Sequence, residues 1–219
     1  MTEFLTKIKT RKMKKSILTT IIACVIGINS FGQREELKLG IKAGPSISNV
    51  FDSEGEQFEA DPKLGYTIGA NLEIPIGKFL GVHPEVLLTQ KGFQGRGAIL
   101  TNEYKYSKTT TFLEVPVLFA FKPFDAVSIV AGPQFAYLLS EKNEFESGTT
   151  EFNHENTFEQ DNIRKNIMGL VGGININIDH ITIGGRVGFD LQNNRGDGTH
   201  DTPRYKNTWA QLTLGYRFY

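Results

Sequence analysis

Tyr205-Lys206-Asn207-Thr208-Trp209-Ala210-Gln211-Leu212-Thr213-Leu214-Gly215-Tyr216-Arg217-Phe218-Tyr219 (YKNTWAQLTLGYRFY) closes the chain, and its alternation decides the fold class. From Thr208 onward every second residue is apolar or small: Ala210, Leu212, Leu214, Tyr216 and Phe218. Between them stand Trp209, Gln211, Thr213, Gly215 and Arg217. Successive side chains of a β-strand point to opposite faces, so this segment has one greasy face and one largely polar face. A soluble β-domain could hold such a strand. So could a transmembrane barrel, whose closing strand carries aromatics at the membrane boundary. The choice rests on whether the rest of the chain repeats the pattern.

It does so in eight segments, counting the last: residues 37–47, 64–76, 80–91, a run ending at 121, 127–139, 168–178, 181–191 and the terminal strand. In the second, Tyr66, Ile68, Ala70, Leu72, Ile74 and Ile76 alternate with Thr67, Gly69, Asn71 and Glu73. In the fourth, Leu113, Val115, Val117, Phe119 and Phe121 face away from Glu114 and Lys122. The connections carry as much information as the strands. Gly77-Lys78-Phe79, Pro123-Phe124-Asp125 and Asp179-His180 read as tight turns. Long polar connections, 48–63, 92–102, 141–166 and 192–204, come between them. Short and long links in strict turn, an even strand number and a terminal aromatic strand predict an all-β fold. Specifically, they predict an eight-stranded antiparallel transmembrane β-barrel in the outer membrane, with its short turns and both termini periplasmic. A soluble lipocalin-type barrel is the alternative; it would put the apolar face inside, an inversion that alternation alone does not reveal. Pro45, Pro75, Pro84, Pro116 and Pro133 fall within these segments and must sit at strand ends, bulges or unpaired positions.

The N-terminal region reads as an export signal. Met13-Lys14-Lys15 precedes an apolar run from Ile17 to Ile28 and then Ser30-Phe31-Gly32-Gln33, the order of a signal peptide. The run is shorter than the roughly 20 residues a membrane-spanning helix needs. The expected division is an upstream extension over 1–12, a signal peptide over 13–32 cut after Gly32, and a barrel domain over 33–219. Cys24, the one cysteine, lies in the apolar run, so the mature chain would hold no disulfide. With 24 basic and 24 acidic residues the chain has no global charge that would draw it to nucleic acid.

The chain resembles the PorT-like outer-membrane β-barrel proteins of Gram-negative bacteria, often labelled porin-family. The residues that carry the resemblance are Leu39-Gly40-Ile41-Lys42-Ala43-Gly44, Phe112-Leu113-Glu114-Val115-Pro116-Val117-Leu118, Gly184-Gly185-Arg186-Val187-Gly188 and Leu214-Gly215-Tyr216-Arg217-Phe218. The chain departs from that pattern in ending Phe218-Tyr219, one residue past the usual terminal phenylalanine. The resemblance implies a fold, a membrane and assembly through the C-terminal strand by the barrel-assembly machinery. It implies no reaction.

Strand parity sends Lys38, Lys42, Glu73, His83, Glu85, Glu114, Lys122, Arg186, Asp190 and Arg217 inward. An eight-stranded barrel has an interior just wide enough for side chains to fill it. Glu85, Glu114, Arg186 and Asp190 are therefore expected to form a lumenal charge network, with Arg186 paired to Glu114 or Glu85. A catalytic carboxylate pair or a proton path through Glu85, Glu114 and Arg186 is the sharper alternative. Some eight-stranded outer-membrane barrels are lipid-modifying enzymes with a His/Ser pair near the outer rim, but no histidine here has an evident serine partner. His154-Glu155 with Glu159 and Asp161, and His200-Asp201, have no spacing that enforces a metal geometry. Gly172-Gly173 and Gly184-Gly185 allow close strand approach and are not phosphate loops. The expectation is therefore a non-catalytic protein without cofactor or metal. Its role would be structural or surface-binding in the envelope, with outer-membrane lipid and an envelope protein as partners; a narrow channel or export-machinery component is the alternative. Loops held on a rigid barrel are the natural recognition surface. Asp52, Glu54, Glu56, Glu59 and Asp61 make the first long connection acidic, and 141–165 carries seven acids against Lys142, Arg164 and Lys165.

Overall fold

The structure is a computed structural model, and it describes residues 37–52, 60–99, 102–147, 150–156, 165–193 and 205–218. The expected signal segment lies outside the described residues. Nine strands are present among the described residues: β1 (Lys38–Asp52), β2 (Asp61–Pro75), β3 (Leu80–Ile99), β4 (Asn102–Phe124), β5 (Val127–Ser147), β6 (Thr150–Asn156), β7 (Asn166–Ile178), β8 (Ile181–Asp190) and β9 (Tyr205–Arg217). They run β4-β3-β2-β1-β9-β8-β7-β5, and a β4–β5 ladder closes the ring into an eight-stranded antiparallel barrel. β6 is the ninth element and no part of that ring. It folds back on the far end of β5, from Glu141↔Asn156 to Ser147↔Thr150.

Two of the long connections expected from the sequence are largely strand. β3 and β4 pair out to Ile99↔Asn102, so most of 92–102 is a hairpin. β5 continues to Ser147 and returns as β6, which takes up much of 141–166. The result is lopsided: β3, β4 and β5 have 20, 23 and 21 residues, whereas β8 has 10. A wall of strands rises beyond one side of the barrel.

The burial pattern settles which face is apolar. Outward side chains include Ile41, Ile68, Val86, Phe119, Ile129, Ile174, Val187 and Leu214, all large apolar residues left exposed. Inward positions on the same strands hold Lys42, Thr67, Glu85, Glu114, Ser128, Asn175, Arg186 and Thr213, all buried. A polar interior under an apolar exterior is the arrangement of a barrel that faces lipid, and the inverse of a lipocalin.

Four of the prolines coincide with breaks in the ladders. The β1–β9 register steps from Ala43↔Leu214 to Ser46↔Gln211, passing over Pro45. The β2–β3, β3–β4 and β4–β5 ladders likewise pass over Pro84, Pro116 and Pro133. Each proline, which has no N–H to give, pairs instead with the strand on its other side: Pro45↔Tyr66, Pro84↔Val117, Pro116↔Gln134 and Pro133↔Leu170. Pro75 ends β2. At the two-residue β7–β8 turn Asp179 takes φ 46°, a left-handed conformation that aspartate tolerates better than most residues.

Candidate functional site

The lumen is bridged at four levels, numbered from the end with the short turns. At the first, Glu73 on β2 lies 3.6 Å from the Lys122 ammonium, 4.0 Å from the Arg217 guanidinium and 4.0 Å from the His83 ring. Arg217 also donates to the backbone oxygen of Asp179, which ties β9 to the β7–β8 turn.

At the second level Glu85 on β3 takes Lys42 at 2.5 Å and Arg186 Nη1 at 2.9 Å on the same oxygen, Oε2. Arg186 Nη2 donates to Asn175 Oδ1 at 3.3 Å. All four are buried. Charges this deep persist only when paired, so one carboxylate ties β1, β3 and β8 together, and Arg186 extends the link to Asn175 on β7.

The third level belongs to Lys91 and Glu114, 2.6 Å apart with side chains 1% and 0% exposed. The Lys91 ammonium also lies 4.7 Å from the Trp209 ring and 5.5 Å from the Phe112 ring, a cation between two aromatic rings. Trp209 fits because its neighbour on β8 is Gly188; a Cβ there would sit 2.3 Å from Trp209 Cζ2. Asp190 accepts a 2.5 Å hydrogen bond from Asn207 Nδ2.

The fourth level lies beyond the apolar outer band of β4, which begins at Leu113. Lys108 pairs with Glu141 at 2.8 Å and lies 5.6 Å from the Tyr205 ring. Asn143 donates to Glu141 at 2.8 Å and accepts from the Tyr106 hydroxyl at 2.9 Å. Burial pulls the Lys108 ammonium down, but Tyr205 and Glu141 outweigh it and hold it above its ordinary range. Phe93 stacks edge-on against Tyr205, with centroids 5.2 Å apart.

Of the four residues expected to share one network, the structure therefore brings only Glu85 and Arg186 into contact. Glu114 is matched to Lys91, and Asp190 to Asn207. Lys91 escaped the sequence reading because it ends the third segment, although it continues the inward series Glu85, Leu87, Thr89. Lys108 and Glu141 escaped because the strands that carry them run on where the sequence turns polar. Glu141, counted with an acidic loop, is an inward strand residue with a lysine partner.

At the loop end Asp61 is exposed, whereas Glu54, Glu56, Glu59 and the side chain of Asp52 lie outside the described residues. So do Glu159, Asp161, His200, Asp201 and the side chains of His154 and Glu155. Of the other histidines, His83 is buried beside Glu73. His180 Nδ1 lies 3.0 Å from the Arg217 backbone oxygen, and its ring stacks on Tyr216. Among the described residues no three His, Cys, Asp or Glu side chains cluster as a metal site would require.

Residues 31–196 match the family model described as the outer membrane protein beta-barrel domain. None of the curated proteins matches the chain. Solved structures similar to it include Ail, the attachment invasion locus protein of Yersinia pestis, at 15% identity over 84% of this chain and 100% of that one, TM-score 0.45. Neisserial surface protein A is similar at 10% identity, with coverage of 84% and 100% and a TM-score of 0.48. A major outer membrane protein from Thermus thermophilus is similar at 15% identity, with coverage of 84% and 100% and a TM-score of 0.46. The family match spans more than half of the chain, and the chain belongs to the outer membrane protein beta-barrel domain family.

Proposed function

We propose that this member of the outer membrane protein beta-barrel domain family works as a non-catalytic surface-binding or structural protein of the cell envelope. In this reading its working surface is the strand wall at the loop end. The observation that carries it is the combination of a bridged lumen and a projecting wall. Ion pairs and hydrogen bonds cross the interior at four levels, while β3, β4, β5 and β6 continue past the point where β1 and β2 stop. Recognition is usually carried by segments held on a rigid scaffold, and a paired strand wall is a stiff one.

The same reading places the short turns and both termini in the periplasm and the wall outside the cell. A signal peptide over 13–32 would precede the barrel domain over 33–219. The C-terminal strand, ending in Tyr216 and Phe218, would be what the barrel-assembly machinery engages. The motif Leu113-Glu114-Val115-Pro116 supports placing the protein among the PorT-like members of the wider family. Asp52 and Asp61 stand at the loop end, and the acidic residues between them would add negative charge to the binding surface.

A narrow channel or export-machinery role is the second reading, but the two voids within the barrel hold only about 10 Å³ each, room for about one water apiece. The binding role is tested by placing a photocrosslinking residue at Lys142 on the wall or at Asp125 in a short turn, both exposed. In intact cells the wall position should yield a discrete protein adduct and the turn position none. Adducts from the turn alone would move the working surface to the other end.

A further inference from the structure

The outward face of β9 carries a column that the lumen does not explain. From the loop end it reads Lys206, Thr208, Ala210, and then Leu212 and Leu214, which stand out at 58% and 62% exposure. Ala210 lies between Val187 on β8 and Ile47 on β1, and Thr208 lies between Phe189 and Asn49. The two small residues are thus the floor of a furrow, with Val187, Phe189 and Ile47 as its walls. The strands that carry these walls lie about 9–10 Å apart across β9, twice the spacing of neighbouring strands. The depression has a volume of about 630 Å³ and opens onto the apolar surface. Asn49 does not make it a polar site. Its amide donates to the Ala60 oxygen at 2.9 Å and accepts from the Val50 N–H at 2.8 Å.

Lys206 stands one position above this furrow on the same outward column, opposite Phe51. A lysine at the edge of the lipid-facing band keeps its stem on apolar surface and its ammonium at headgroup height. We propose that the furrow holds one acyl chain of a phosphate-bearing, net anionic lipid, whose phosphate rests on Lys206. The proposal builds on the outer-membrane placement of the barrel. The two parts of the ligand are matched separately. The chain fills apolar space that no side chain occupies, and the phosphate meets the cation at the loop end of that space. Any lipid would cover the surface; an anionic one is held by both ends.

The test uses the refolded barrel in a mild detergent, with bound lipid counted by native mass spectrometry. Dioleoyl phosphatidylglycerol is compared with phosphatidylcholine of the same chains and with glycerophosphate. The wild type should retain one phosphatidylglycerol and no glycerophosphate. Lys206→Gln should weaken phosphatidylglycerol binding about five-fold, as expected for one lysine–headgroup contact, and phosphatidylcholine, whose phosphate is offset by its own choline cation, by distinctly less. Ala210→Leu, or Thr208→Leu as a second variant of the same kind, should lower retention of both lipids by filling the furrow. All three changes lie on the outer face, and heat-modifiable electrophoretic migration checks folding in each. Equal retention of phosphatidylglycerol by the wild type, Lys206→Gln and Ala210→Leu would overturn the proposal. So would binding of glycerophosphate as tight as that of the lipid.

Discussion

Arg186 on β8 and Glu85 on β3 are 101 residues apart in sequence, and Arg186 Nη1 lies 2.9 Å from Glu85 Oε2 across the lumen. The two strands are not neighbours in the ring, so this contact braces opposite parts of the wall. Arg186→Leu should destabilise the barrel by about 3 kcal/mol in urea unfolding from lipid vesicles. The loss is limited because Lys42 still holds the carboxylate. Adding Glu85→Gln should cost more, because it leaves the buried Lys42 ammonium without its carboxylate, but by less than the sum of the two single changes. Adding Glu114→Gln should be simply additive, because Glu114 answers to Lys91.

Lys91→Met removes the partner of a carboxylate that is fully buried. It should cost about 3–5 kcal/mol in the same measurement, more than the loss at Arg186, because among the described residues Glu114 has no second cation at comparable distance. The double variant Lys91→Met with Glu114→Gln should regain most of that, since both charges are then gone.

Gly188→Val places a side chain where the Trp209 indole lies. The expected cost is about 1–3 kcal/mol, the range for overpacking a filled interior. Combining it with Trp209→Leu should relieve much of the loss. An additive result would mean that the clash is with the strand backbone.

The outer face is tested with charge. Leu72→Arg, Val117→Arg and Ile129→Arg each put a guanidinium on an outward position, and Ile129 is 47% exposed on that face. Each should destabilise the barrel by about 2–4 kcal/mol when it falls near the bilayer midplane, and by less near the interfaces.

The sequence made the lipid band legible and left the ends of the strands obscure, for one physical reason. Where one face meets hydrocarbon and the other a polar lumen, residues alternate sharply, as in Ala210 to Phe218. Beyond the band that contrast fades, and Gly92-Phe93-Gln94-Gly95-Arg96 reads as a loop although β3 runs to Ile99. The candidate site was legible in the same partial way. Parity assigns Glu85, Glu114, Arg186 and Asp190 to the inside, but parity carries no information on height within the barrel. Height depends on the tilt and stagger of strands far apart in the ring, which is why Arg186 could be matched to either of two carboxylates and why Lys91 went unnoticed.

An interior bridged shut would leave the strand wall as the place where the protein does its work. Planar-bilayer recording of the refolded protein tests this most directly. With barrel structure confirmed by heat-modifiable migration, the predicted result is a silent membrane. Reproducible discrete conductance steps, altered by Lys91→Met or Arg186→Leu, would contradict it and favour the channel.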